Sequence, residues 1–336
     1  MCCLEKAVRR FCGFVGVLCC SALLTSDASA EIITFGSGVN SFGIDFVEIG
    51  DPGNVADTAG EPNPAGSVDY TYRISKYEIS RDMVIKATSE GSLLISLGDL
   101  SLNGGNGLDR PATGITWYEA AIFTNWLNTS KGLAPAYKFN GNVFETWSPG
   151  DVGYDADNPF RNSLATYVIP SVDEWYKAAY FDPINNVYYD YALGSNTPPT
   201  PVASGTDPGT AVYNFASIGP ADVFDAGGLS PYGVMGLGGN VTEWNETAFD
   251  LVNNSASEDR SLRDEYWYTD DVFSTRSLSR FFSAPTDEFT FTGFRVADVS
   301  SNSVPEPSSI VMALGLLSFV GIRYRTSRRR SGSQGH

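Results

Sequence analysis

Over most of its length the chain lacks cysteine and histidine, which are common choices for nucleophilic attack and for proton transfer near neutral pH. Its five cysteines all lie within the first 20 residues, and its one histidine, His336, is the last residue. Residues 21–335 therefore contain neither a thiol nor an imidazole. This excludes cysteine nucleophiles, histidine acid–base catalysis and thiolate metal sites from that whole stretch.

The N-terminus has the pattern of a secretory signal peptide. Basic residues within the first ten positions are followed by the apolar run FCGFVGVLCCSALL and by Ala28-Ser29-Ala30. A basic start, an apolar core and a small-residue cleavage site are the parts of such a signal. We expect export and cleavage after Ala30, which would remove all five cysteines. A buried first helix is the alternative, but it would not explain the small-residue site.

The C-terminus has a second targeting pattern. Pro305, Glu306 and Pro307 follow a valine and precede an apolar run over residues 308–322, behind which five arginines lie within 323–330. The run is shorter than the ~20 residues of a free-standing transmembrane helix, but the basic end would hold the tail in the cytoplasm. Together these parts resemble the PEP-CTERM sorting signal of Gram-negative bacteria. The resemblance implies an exosortase-type sorting enzyme as partner, transient anchoring in the inner membrane, and delivery to the cell envelope, outer surface or extracellular matrix.

Composition describes the part between these signals. We expect a signal peptide at residues 1–30, one large domain at 31–303 and a sorting signal at 304–336. The chain has 22 Lys and Arg against 39 Asp and Glu, a formal net charge of −17. Such a surface repels nucleic acid, so no nucleic-acid partner is expected. With 34 glycines, 18 prolines and 13% aromatic residues, the composition favours a loop-rich α+β domain.

Three segments indicate regular secondary structure. Residues 68–80 are rich in β-formers and predict a strand. The sequences TWYE from Thr116 and SVDE from Ser171 are capping boxes, in which a hydroxyl accepts from the amide three residues on and the glutamate reaches back. They predict two helices, one ending near Gly132 and one ending before Pro183.

Five motifs, in order along the chain, resemble the formylglycine-generating (sulfatase-modifying factor) family. They are YEIS at residues 77–80, PATGITWYEAAIFTNW at 111–126, IPSVDEW at 169–175, GNVTEW at 239–244 and GFRVA at 293–297. The resemblance covers about residues 70–298, and five motifs in order are far more specific than one. It implies a variant of the C-type-lectin-like fold, α+β and loop-rich, with short helices and small antiparallel sheets. Arg295 of the last motif is expected to anchor buried backbone or carboxylate groups with its planar fork.

The family's chemistry depends on cysteines that this chain lacks. In catalytic members a copper-binding cysteine pair follows an RGGS(W/Y) segment and oxidises a sulfatase cysteine to formylglycine. Here the corresponding segment, which we call the rewritten segment, is RDEYW at residues 263–267, and Thr269 and Ser274 lie near the cysteine positions. Alcohols bind Cu(I) too weakly to replace thiolates. We therefore expect no bound copper, no catalytic role for Thr269 or Ser274, and no oxidase activity.

The resemblance also implies calcium near the GNV turn. Family sites combine an Asp or Asn side chain, two backbone carbonyls and the glutamate of the EW pair. Glu243 and the carbonyls of Gly239 and Val241 match, whereas Gly236 stands where Asp or Asn is usual, and Asn214 resembles part of a second site. Hard oxygen ligands in a flexible loop suit Ca²⁺. The alternative is that Glu243 accepts only backbone amides and that Asn214 shapes a turn.

Charged and aromatic residues after the rewritten segment suggest a binding groove. Asp270, Asp271, Arg276 and Arg280 would form a polar surface for a glycan or protein ligand, and Trp267 would be its exposed aromatic side chain. Carboxylates here could instead hydrolyse a glycosidic bond, or form a solvated face with structural arginine pairs. The leading hypothesis is a non-catalytic binding or structural module. The second is an enzyme of another class that acts on extracellular polysaccharide.

Overall fold

The computed structural model describes residues 31–270 and 272–300 of the chain. In this part the α-helices are α1 (Arg81–Gly91), α2 (Trp117–Thr129) and α3 (Val172–Tyr180). The strands are β1 (Glu31–Phe35), β2 (Phe42–Ile49), β3 (Tyr72–Ser75), β4 (Lys138–Asn140), β5 (Val143–Glu145), β6 (Tyr167–Val168), β7 (Phe181–Asp182), β8 (Val187–Tyr188), β9 (Thr200–Pro201), β10 (Thr210–Ala211), β11 (Thr242–Ala248), β12 (Arg260–Arg263), β13 (Phe281–Ser283), β14 (Thr292–Phe294) and β15 (Ala297–Asp298). Short helices, short strands and long loops confirm the predicted loop-rich α+β class.

The larger sheet joins the two ends of the described region. Its strand order is β1-β2-β3-β15-β6, and every neighbouring pair is antiparallel. Ala297 of β15 lies opposite Ile74 on one side and Val168 on the other. The last strand of the region therefore inserts between strands that precede it by more than a hundred residues.

The second sheet carries the motifs of the candidate site. Its order is β13-β12-β11-β14, with β11 and β14 parallel and the other neighbours antiparallel. Trp244 of β11 lies opposite Leu262 of β12 and Phe294 of β14. This pairing places GNVTEW, the rewritten segment and GFRVA in one sheet. The remaining strands form the two-stranded pairs β4-β5, β7-β8 and β9-β10.

The two predicted helices are confirmed at their capping boxes. The Thr116 hydroxyl accepts from the Glu119 amide while the Glu119 carboxylate accepts from the Thr116 amide, and Ser171 and Glu174 repeat the arrangement. The apolar stripe of α2 faces the core, as do the four tryptophans of the motifs. These buried side chains are Trp117, Ala120, Ala121, Thr124, Trp126, Leu127, Trp175 and Trp244.

Residues 68–80 form less strand than predicted. β3 covers only Tyr72–Ser75, and Ser80 is the N-cap of α1, a helix that the sequence analysis missed. The Ser80 hydroxyl accepts from the Met83 amide, so the end of the motif YEIS serves a helix start rather than a strand end.

Several predictions fall on residues that are not described. The signal peptide, the sorting signal with its apolar run at 308–322, and Asp271 all lie outside the described residues. Within 31–270 and 272–300, no helix combines the length and the apolar character needed to cross a membrane.

Candidate functional site

Strands β11 and β12 bring the GNV turn and the rewritten segment together. Glu243 lies opposite Arg263 in the sheet. Beyond the strands, the Trp267 amide donates to the carbonyl of Asn240 over 3.1 Å. The two regions that the sequence singled out for chemistry therefore lie side by side.

The centre of this region is a buried ion pair between Glu243 and Arg295. Arg295 Nε lies 2.6 Å from Glu243 Oε2, and Arg295 Nη2 lies 2.5 Å from Oε1. Trp175 Nε1 also donates to Oε2, over 2.7 Å. The same guanidinium donates to the carbonyls of Ser75 and Met235, so the anchoring role predicted for Arg295 is confirmed.

This arrangement does not fit Glu243 as a calcium ligand. A guanidinium already contacts both carboxylate oxygens, and it would repel a second cation at that point. The Gly239 carbonyl accepts from the Val241 amide over 3.1 Å, and Asn214 is exposed in a turn with φ of 57°. Among the described residues, no group of three or more acidic, histidine or cysteine side chains could hold a metal ion. Glu243 is therefore engaged by Arg295, and calcium binding stays a prediction.

Glu78 is a second buried carboxylate beside the ion pair, and its role was missed. Asn240 Nδ2 donates to its two oxygens over 2.9 and 3.0 Å. A Cβ atom at Gly236 would lie 2.9 Å from Glu78 Cδ, so this carboxylate occupies the space of a side chain at position 236. Burial, and then the charge of Glu243, raise the pKa of Glu78 well above its usual range. The sequence signal for this role was the position of Glu78 within the YEIS motif.

Asp264 is a structural carboxylate rather than part of a solvated acidic face. It is only 1% exposed, and its oxygens accept from the amides of Gly239, over 2.6 Å, and Glu265, over 2.8 Å. Burial is the main cause that raises the pKa of Asp264 well above its usual range. Because it is engaged by the GNV turn, Asp264 does not fit a carboxylate that reacts with substrate.

The predicted exposure of Trp267 is wrong. Its side chain is 2% exposed and packs in a small apolar cluster with Leu100, Val212, Ala221 and Val241. The reason is the backbone bond to Asn240, which directs residue 267 under the GNV turn. Its neighbour Tyr268 is 57% exposed and contacts Phe215 edge to face, with ring centroids 4.5 Å apart.

The two arginines predicted for the groove are held by acidic partners from other loops. Arg276 Nη2 lies 2.9 Å from Asp190 Oδ2, and Arg280 Nη2 lies 3.3 Å from Glu61 Oε1. Arg280 also lies over the Phe249 ring, 4.3 Å from its centroid. These contacts agree with the structural alternative of arginine–carboxylate pairing.

The residues near the family's cysteine positions belong to turns. The Thr269 amide donates to the Tyr266 carbonyl over 3.2 Å, and Ser274 lies in a 3-10 turn, Val272–Thr275. Both side chains are half-buried, whereas Asp270 is exposed.

An aromatic cleft opens beside the rewritten segment. Its volume is about 270 Å³. Tyr266, Phe291 and Phe289 stack in series along it, with ring centroids 4.3 and 5.1 Å apart. The side chains that line it are Thr242, Leu262, Glu265, Tyr266, Phe281, Phe282, Ser283, Phe289 and Phe291.

The sequence analysis missed this cleft, although the phenylalanines between residues 281 and 291 were a usable signal. Its walls are aromatic, and its polar groups are a carboxylate, two hydroxyls and a phenol. An apolar cavity with a few polar groups is the usual form of a ligand site. The cleft therefore suits binding of one apolar or aromatic group.

Comparisons with known proteins agree with this architecture. Residues 46–299 match the model of the sulfatase-modifying factor enzyme 1-like domain. Treponema denticola variable protein 1 is 19% identical over 80% of this chain and 98% of its own, with a TM-score of 0.54. A crystal structure of CarF is 19% identical over 76% of this chain and 98% of its own, with a TM-score of 0.55. At these identities the likeness shows the fold alone. A search of curated protein sequences finds no match.

Proposed function

The chain belongs to the family of sulfatase-modifying factor enzyme 1-like domains, and we propose that this member binds a protein ligand and has no oxidase activity. The observation that carries the proposal is the aromatic cleft beside residues 263–267. These residues resemble the family segment that precedes the catalytic cysteines, and here they carry no thiol. Without thiolates the copper chemistry has no ligands, whereas the cleft offers a binding cavity.

An exposed aromatic side chain at the cleft supports a protein as the ligand. Phe282, which lines the cleft, is 54% exposed, and its ring contacts that of Phe249 with centroids 4.5 Å apart. Aromatic side chains are enriched where proteins bind one another, and exposed apolar groups that lie together often mark such a surface. A single aromatic or branched side chain of a partner would fill the cleft, as a central anchor does in a protein interface.

We further propose that the protein is exported and sorted to the cell envelope or extracellular matrix. The support comes from the signal-peptide pattern at residues 1–30 and from the sorting-signal pattern at 304–336. A binding module in that place would attach to a surface or matrix protein.

Binding is tested with the purified full chain. A displayed random-peptide library is selected on the protein and then compared on two variants, Phe282→Asp and the control Ile184→Asp, which changes an exposed residue that does not line the cleft. We expect peptides with a shared aromatic or branched residue that bind the parent and the control at least about tenfold more tightly than Phe282→Asp. Peptides that bind all three equally would contradict the proposal. Saturable binding on a glycan array alone would favour a carbohydrate ligand instead.

The absence of oxidase activity needs its own assay. The protein is incubated with copper, oxygen and a sulfatase-derived cysteine peptide, beside an active family member as control. We expect no formylglycine from this chain. Formation of formylglycine would overturn this part of the proposal. Release of sugar from a polysaccharide, lost in Asp270→Asn, would support the hydrolase alternative.

A further inference from the structure

A second cavity lies on α1, and no residue of the aromatic cleft lines it. Its volume is about 400 Å³. One wall is the face of α1, and the other is the irregular chain that follows this helix. We call it the Arg81 pocket, and the side chains that line it are Arg81, Val84, Ile85, Thr88, Ser89, Ile95 and Leu97.

Arg81 is the only charged side chain that lines the pocket, and its guanidinium is only partly satisfied there. The residue is 7% exposed; burial lowers the pKa of its guanidinium, and the charge of Asp99 opposes this shift in part. Nη1 donates to the Gly98 carbonyl over 2.9 Å. Within the described part of the chain, Nε is buried without a hydrogen-bond partner, and Arg81 forms no ion pair. A buried cation whose nearest opposite charge lies beyond ion-pair distance is costly, because that charge repays its desolvation only in part.

The rest of the pocket is apolar except for two hydroxyls. Val84 and Ile85 of α1 line the cavity together with Ile95 and Leu97 of the chain that follows. The Thr88 hydroxyl is buried and has no hydrogen-bond partner among the described residues. The pocket thus combines apolar walls, one guanidinium with an unpartnered Nε and one unsatisfied hydroxyl.

We propose that the Arg81 pocket binds an aliphatic carboxylate. The carboxylate would pair with the guanidinium fork, which suits two oxygens in a plane, and the aliphatic part would lie between the apolar walls. Two sources share this chemistry, a free fatty acid and the C-terminal carboxylate of a peptide that ends in an apolar residue. The strongly acidic surface of the protein would repel anions in general, so retention of a carboxylate requires a specific cation.

The test uses calorimetric titration of the full chain with octanoate. We expect saturable binding with one site, and at least about tenfold weaker binding of octylamine and octanol. A peptide that ends in leucine, as a free acid and as an amide, separates the two sources. Binding of the free acid but not the amide would extend the site to peptide termini.

Two pairs of variants distinguish the pocket from other sites. Arg81→Met should weaken octanoate binding at least about tenfold, whereas Lys86→Met, which removes a cation paired with Asp82 on the same helix, should not. Ile85→Asp places a carboxylate at the half-exposed edge of the pocket and should abolish binding even if Arg81→Met does not fold. Leu94→Asp, at an exposed residue that does not line the pocket, is its control.

Two results would overturn the inference. One is octanoate binding that Ile85→Asp leaves unchanged, and the other is octylamine binding as tight as octanoate binding. The aromatic cleft is untouched by these variants, so failure here leaves the proposed protein-binding function standing, and the reverse also holds.

Discussion

Arg260, Arg263 and Arg295 are among the largest fully buried side chains of the protein, but they are stabilised in different ways. Arg295 has the carboxylate of Glu243, whereas Arg260 and Arg263 donate to backbone carbonyls and lie against aromatic rings. Arg260 lies 4.0 Å from the centroid of Phe160, and burial lowers its pKa to about 10. Ring faces attract cations and soften the cost of burial. The role of Arg295 was predicted from its motif. The aromatic rings around Arg260 and Arg263 could not be predicted, because they come from distant parts of the chain.

The space that Glu78 occupies leads to a prediction at Gly236. Both Gly236 and Gly233 have positive φ, 75° and 89°, but only a Cβ at 236 would meet the Glu78 carboxylate. Each change to alanine should lower the free energy of unfolding by about 1–2 kcal/mol, because alanine is strained in a left-handed backbone conformation. Gly236→Ala should cost a further ~1–3 kcal/mol from overpacking. Urea unfolding of both variants measures the difference, and equal losses would contradict the packing described for Glu78.

The raised pKa of Glu78 predicts how stability changes with pH. The folded state keeps this proton to higher pH than the unfolded state, so the contribution of Glu78 is full below its ordinary pKa of 4.5 and is lost as pH rises through the folded value. Relative to the parent, Glu78→Gln should therefore gain stability as pH rises above 4.5. Chemical unfolding from pH 4 to pH 8 tests it, with Glu48→Gln on β2 as the control for loss of one charge. A constant difference would show that the carboxylate is not destabilised by burial.

At the scale of elements, the two helices with capping boxes were predictable and α1 was not. In α2 and α3 the hydroxyl and the glutamate are three residues apart, and both bonds close within one turn. The N-cap of α1, Ser80, has no glutamate at the third position, where Met83 stands instead. Its identity as a helix depends on packing of Met83, Val84 and Ala87 into the core. Local pattern therefore sufficed for two helices, and tertiary contact decided the third.

Replacing either capping glutamate with alanine should lower the free energy of unfolding. The two losses should differ because the surroundings of the glutamates differ. Glu174 is buried and accepts from Arg161 Nη1 and Nη2, each over 2.9 Å, while Glu119 is half-buried and accepts from the Ser96 amide. Glu174→Ala should cost about 3–5 kcal/mol, since it leaves Arg161 buried with one carboxylate fewer. Glu119→Ala should cost about 1 kcal/mol. Thermal and urea unfolding compare them, and similar losses would mean that the buried pair adds nothing beyond the cap.

At the scale of the whole molecule, the C-type-lectin-like fold inferred from the five motifs is confirmed. The motifs are far apart in sequence, but the second sheet joins two of them directly, through β11 and β14. The remaining motifs supply the N-cap of α1, most of α2 and the start of α3. The order of motifs carried this information because the family arranges the elements that contain them in one way.

The sorting proposal leads to a prediction for the whole chain. Deletion of residues 304–336 should release the protein into the medium or stop its processing, because the proposed address and the short apolar run are both removed. Fractionation of host cells with an antibody to the protein measures the outcome, and a deletion of residues 2–30 should instead block export. Unchanged retention in the envelope or matrix would exclude the tail as the address.

The sequence alone determined where thiols are absent and where the strongest local elements lie. Residues 21–335 carry no thiol whatever the fold, and capping boxes close their bonds within a single turn. Tertiary structure decided the rest, since it depends on contacts between distant residues. Glu78 meets Asn240 across 162 positions, Arg295 takes the carboxylate expected to bind calcium, and the GNV turn holds Trp267 inside. The aromatic cleft and the Arg81 pocket are spaces between side chains, which no local pattern records.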